Sequence, residues 1–129
     1  MNERDQALLA IRPLLPLDNS LSTEREKFQN ETLRPILKFQ NPAIKVVVNE
    51  WMKAHKQDLS SQTKERASAT IEHVLKTNQQ LRNQLFALVT GLMTEVELSY
   101  YFSQKGELNR RLTSMLIQRL VDQLLPISE

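Results

Sequence analysis

The chain has 129 residues, with 17 Lys and Arg against 15 Asp and Glu, two glycines, two histidines and no cysteine. That length fits one compact domain, and the missing cysteines exclude disulfides, thiolate metal sites and a cysteine nucleophile. Two glycines are too few for a dinucleotide fingerprint or a phosphate loop, and a formal charge of +2 carries no nucleic-acid signature unless the cations cluster.

Residues 1–21 differ from the rest and read as an N-terminal arm. Positions 2–11 are suited to a short helix with Leu8, Leu9 and Ile11 on one side. Pro13 and Pro16 then favour extended backbone, and Asp18-Asn19-Ser20 reads as a turn. The first residues carry acids and lack the basic start of a secretory signal. No apolar run approaches the roughly 18 residues a bilayer crossing needs, so a cytoplasmic protein without membrane contact is expected.

Residues 22–129 read as a helical bundle, rich in Leu, Gln, Lys, Glu and Arg. Thr23 with Glu26 has capping-box spacing and opens a helix through Phe28. Thr32 is suited to cap a second segment, with Pro35 in its first turn, where a missing N–H costs nothing. That segment extends to about Lys56. Its apolar residues Leu33, Ile36, Leu37, Ala43, Ile44, Val47, Val48, Trp51 and Ala54 fall within roughly 140° of a 3.6-residue wheel on both sides of Pro42. A kinked continuous helix and a fresh start capped by Asn41 both fit this pattern. Ser60-Ser61 is expected to cap a helix over about 62–76, with Ala67, Ile71, Val74 and Leu75 inward. A helix over about 78–92 carries Leu81, Leu85, Leu88 and Leu92. Thr94 with Glu97 forms the cleanest capping box and opens a short helix through Tyr100, Tyr101 and Phe102. The stretch 103–106 marks a break, and a last helix over about 104–125 ends before Pro126. From Leu108 to Leu125 its apolar stripe is wider than packing on one side requires. The expected fold class is all-α, an arm followed by an irregular bundle of five or six helices.

Several clusters carry potential chemistry. Arg34, Lys38, Lys45, Lys53 and Lys56 share an arc of roughly 100° if their helix is continuous, with only Glu50 as an acid. Such a stripe is suited to track phosphates, although a solvated face opposite the core has the same appearance. The span 62–92 loosely fits a helix-turn-helix, but Arg82 is the only cation on its second helix. Glu72 and His73 are adjacent and point about 100° apart, so no metal site is expected, nor any cofactor. Glu95, Glu97 and Glu107 lie near Tyr100 and Tyr101, yet Glu97 is explained as a cap and Glu95 by the positive helix end. Arg110-Arg111 could hold a carboxylate or phosphate, with Glu107 at salt-bridge spacing as the default partner.

Residues 26–40 (EKFQNETLRPILKFQ), 106–112 (GELNRRL) and 117–120 (IQRL) resemble a family of short, uncharacterised bacterial proteins sometimes labelled glyoxalase-related. The resemblance would cover about 23–125 and leave the arm outside it. It implies no established activity, and it singles out Phe28, Thr32, Arg34, Pro35, Gln40, Asn109, Arg110 and Arg111 as a shared site or as residues joining two helices.

The leading expectation is a non-enzymatic helical interaction protein, a homodimer whose last helix contributes to the contact. Nucleic-acid binding through the basic face is the alternative. A small enzyme or ligand-binding protein with an Arg/Glu site around Arg34, Glu107, Arg110 and Arg111 is the second alternative, although the sequence favours no catalytic residue.

Overall fold

The computed structural model describes residues 2–15 and 23–124, and among these every regular element is helical. The turn expected at 18–20 and the helix end before Pro126 lie outside the described residues.

Thr23 and Glu26 close the expected capping box and start one long rod: α2 (Glu24–Phe28), a π-helical turn (Gln29–Leu33) and α3 (Arg34–Ala54), preceded in the chain by α1 (Glu3–Ile11). The π turn explains why no new helix starts at Thr32. The Arg34 N–H reaches back five residues to the Gln29 carbonyl, and the widened turn admits Pro35 without a break. Thr32 is therefore no cap; its hydroxyl donates to Glu97 Oε2 at 2.9 Å.

Pro42 lies inside α3, and the helix runs through it. Asn41 is unavailable as a fresh cap because it exchanges amide hydrogen bonds with Gln123, 3.1 Å in one direction and 2.9 Å in the other. Pro42 and Lys38 are both exposed, so the carbonyl that the proline leaves unbonded faces water. The rod ends at Ala54, two residues earlier than expected, because Lys56 turns into the left-handed region with φ of 56°.

Ser60 and Ser61 do not cap the next helix. They form a short 3₁₀ turn (Leu59–Ser61) held by the Asp58 carboxylate, and Thr63 caps α4 (Lys64–Thr77). Asn78 ends α4 and caps α5 (Gln79–Thr90). Thr94 and Glu97 form the expected capping box of α6 (Glu95–Ser103). Gly106 falls in the first turn of α7 (Lys105–Asp122), so the break is confined to Gln104. α5 packs on α3 and α4 packs on α7, whereas α3 and α7 approach each other only sparsely. The core joins Leu33, Ile36, Leu37, Ile44 and Val48 of the rod to Leu81, Leu85 and Val89 of α5 and to Leu108, Leu112 and Leu116 of α7. Each such buried aliphatic side chain contributes about 2 kcal/mol. Among the described residues no helix is long and apolar enough to cross a membrane.

The arm docks by polar contacts. Asn2 caps α1, and Arg4 donates to the carbonyls of Met93 (2.9 Å) and Gly91 (3.0 Å). Asp5 is buried and faces the Glu95 N–H at the positive end of α6. Arg12 makes a two-pronged bridge to Glu97, 2.6 Å to Oε2 and 2.8 Å to Oε1, with a third bond to the Leu92 carbonyl at 3.1 Å. Burial acts to raise the Glu97 carboxyl, but the Arg12 hydrogen bonds, the Thr94 N–H, the Arg12 charge and the Thr32 hydroxyl outweigh it and hold its pKa below the ordinary 4.5.

Pro42→Ala restores a helical hydrogen bond and should raise stability by about 2 kcal/mol, measured as a higher urea midpoint. Glu97→Gln should lower stability by about 3 kcal/mol and speed amide exchange across α1 more than across α5. Because the Glu97 carboxyl is held lower in the folded chain than in the unfolded one, its contribution is complete above about pH 4.5 and lost as pH falls through the range beneath. The acid arm of a stability–pH curve should accordingly be shallower in Glu97→Gln.

Candidate functional site

The residues singled out from the sequence separate into two groups, with Arg34 apart from both. Glu107 accepts from Arg110 at 2.8 Å and meets Arg25 of α2 at 3.4 Å, an exposed Arg–Glu–Arg network at one end of the bundle. Arg111 lines the adjoining niche of about 400 Å³ together with Thr23, Glu26 and Glu107. The second group joins helices. Gln40 donates to the Leu88 carbonyl at 2.9 Å, Asn109 accepts from the Tyr101 hydroxyl, and the Phe28 and Tyr100 rings lie 4.8 Å apart. Burial pushes the Tyr101 phenol up, against the opposing effect of its bond to Asn109. Thr32, Gln40 and Asn109 thus act in the helix-joining way. Arg34 belongs to neither group. Its Nε donates to Asn30 at 3.0 Å, and it lines a groove together with Ser114, Gln118 and Arg119 of α7.

The remaining clusters are engaged locally. Glu95 accepts from Asn2 and Glu97 from Arg12, so neither carboxylate is paired with Tyr100 or Tyr101. Glu72 pairs with Lys76 at 2.7 Å, and His55 stacks on Trp51 with ring centroids 3.8 Å apart. Arg82 donates to the Leu75 carbonyl at 2.8 Å and to Gln79, which fixes the α4–α5 corner and removes the cation from the helix-turn-helix surface. The broad stripe of α7 is covered within the chain. Leu108, Leu112, Leu116 and Leu120 are buried and Met115, Ile117 and Val121 pack against the core, while the large exposed apolar side chains, such as Leu14, Phe39 and Val46, lie elsewhere.

The sparse α3–α7 seam opens into two grooves separated by the Asn41–Gln123 amide pair. The larger, about 760 Å³, lies between the C-terminal half of α3, α4 and the end of α7. Val48, Met52, Ile71, Leu120 and Leu124 form its apolar floor, and Lys45, Lys53 and Lys56 stand around it. Because α3 is continuous, Arg34, Lys38, Lys45 and Lys53 share one arc, while Lys56 lies beyond the helix end; Lys45, Lys53 and Lys56 line this groove, Lys38 is exposed and Arg34 lines the other. Lys53 meets Glu50 at 3.5 Å, but both side chains are more than two-thirds exposed, which leaves the pair weak. Asp58, the acid of the groove, accepts from the Ser60 N–H at 3.1 Å and the Ser60 hydroxyl at 2.6 Å.

The smaller groove, about 690 Å³, is lined by Arg34, Asn41, Ser114, Gln118, Arg119 and Asp122 among others. Arg119 and Gln123 escaped the sequence reading, although a signal exists. Both fall within the arc of the inward leucines of α7, Arg119 between the phases of Leu108 and Leu112, where an apolar residue is expected.

No protein-family model matches the chain, and no curated protein or solved structure matches it either. The functional reading therefore stands on the geometry of this seam.

Lys56 links the groove to backbone strain. Its N–H bonds to the Lys53 carbonyl at 3.1 Å and the Gln57 N–H to Met52 at 2.8 Å, the double closure of a left-handed helix end that glycine adopts most readily. Lys56→Gly should raise stability by about 1 kcal/mol in thermal or urea unfolding, at the loss of one rim cation.

Proposed function

We propose that the protein is a non-enzymatic binding module that takes an acidic, amphipathic helical segment of another protein in the α3–α4–α7 groove. The observation that carries this reading is the apolar floor of Val48, Met52, Ile71, Leu120 and Leu124 bordered by Lys45, Lys53 and Lys56. A partner helix would lay apolar side chains along the floor and carboxylates toward the lysines, the helix-in-groove mode of recognition. The apolar floor favours such a segment over a nucleic-acid backbone, which gains from the cations alone and lacks anything to bury there. The large exposed apolar side chains are not on α7, which disfavours a second copy docking through its last helix.

The probe is a fluorescein-labelled, helix-stabilised peptide with leucines on one face and glutamates on its flanks, read by anisotropy against the full chain. It should bind in the micromolar range, and the combined reversal Lys45→Glu, Lys53→Glu and Lys56→Glu should weaken it at least tenfold with the helical circular dichroism retained. A peptide with lysines in place of the glutamates should not bind. Equal binding of both peptides, or preference for duplex or single-stranded RNA or DNA with a steep salt dependence, would overturn the reading.

A further inference from the structure

Arg34 and Arg119, with 84 intervening positions in the sequence, line the same second groove through helix packing. Two guanidiniums that share one groove repel each other, and partial burial of Arg119 adds a desolvation cost. Burial of Arg119, together with the nearby Arg34 charge, pushes its guanidinium pKa down. The other arginines near acids are paired: Arg4 with Asp5, Arg12 with Glu97, Arg25 and Arg110 with Glu107. Neither Arg34 nor Arg119 forms an ion pair with a described residue. Asp122 lines the same groove, but its carboxylate accepts from Gln118 at 2.9 Å.

Asn30 takes the Arg34 Nε–H and leaves the two terminal nitrogens of the fork available. The Asn41–Gln123 amide pair walls one side, and Gln123 is itself tied to the Arg119 carbonyl at 2.8 Å. A single carboxylate would neutralise only one of the two guanidiniums. A phosphoryl group carries close to two charges at pH 7 and three acceptor oxygens, enough to take a fork from each arginine.

We propose that Arg34 and Arg119 form a binding site for the dianionic phosphoryl group of a small phosphomonoester, with the open remainder of the groove receiving the rest of the molecule. This site is distinct from the lysine-rimmed groove and does not depend on the function proposed for it.

The test uses the full chain and three probes, inorganic phosphate, phosphoserine and adenosine monophosphate, with sodium chloride at matched ionic strength and succinate as controls. The arginine Nε–Hε signals of Arg34 and Arg119 are followed by NMR, and the melting temperature is recorded in parallel. Saturable shifts of both signals are expected with all three phosphates, together with a rise in melting temperature that chloride does not reproduce. Phosphoserine or adenosine monophosphate should bind at least as tightly as free phosphate. Arg34→Gln and Arg119→Gln should each weaken binding at least tenfold, and Arg119→Lys, which keeps the charge without the fork, should weaken it severalfold. Without phosphate, Arg119→Gln should melt at the same temperature or higher, because it relieves the repulsion; an arginine present only for structure would lower it. Shifts that track ionic strength alone, tighter binding of succinate than of any phosphate, or binding insensitive to both glutamine variants would overturn the proposal.

Discussion

The carboxylate of Glu97 is where three otherwise separate parts of the chain meet. It accepts the Thr94 N–H at 2.9 Å as the cap of α6, the Thr32 hydroxyl from the π turn of the rod, and both prongs of Arg12 from the arm. A carboxylate with this little solvent around it is tolerated only when its lone pairs are filled, and here they are filled from three directions. Removing any one donor therefore loosens more than one junction. It also explains how an arm with little apolar surface turned inward can sit in a defined place: directional bonds to the α5–α6 corner substitute for area.

The second organising feature is a place where packing is incomplete. α5 fills the space beside α3 and α4 the space beside α7, which leaves α3 and α7 flanking an open seam. The polar residues Arg119 and Gln123 occupy positions on α7 that leucine would otherwise take, and Gln123 meets Asn41 across the gap. A hydrogen-bonded amide pair at that point fixes the separation of the two helices without closing it. The seam is thereby divided into an apolar groove with a lysine rim and a polar groove with two arginines. Both are consistent with binding of anionic groups, and they differ in what else the ligand must bury.

The left-handed Lys56 and the interior Pro42 are departures from local preference on the same helix. Pro42 is tolerated because its unbonded neighbour carbonyl faces water, and Lys56 because the helix end is closed by two backbone hydrogen bonds. The strain at Lys56 falls on a side chain that lines the larger groove, where a lysine is useful and a glycine would contribute no charge.

Helix identity, the two capping boxes, the inward leucines and the basic arc from Arg34 to Lys53 were legible in the residues, because each depends on neighbours three or four positions away, whereas Lys56 fell past the helix end. The start at Thr32, the cap at Ser60-Ser61 and the choice at Pro42 were not, because a π turn, an Asp58-held turn and a cross-chain amide pair decided them. Of the candidate site, Arg34 and the lysines could be named, but their sorting into two grooves could not. The sequence by itself determined the rods and their faces, since hydrogen bonding along a helix is local. Only the tertiary structure decided that Arg34 and Arg119 line one groove, that Glu97 serves the arm as well as its own helix, and that α3 and α7 approach only sparsely, since those distances are set by how side chains from remote segments fill space.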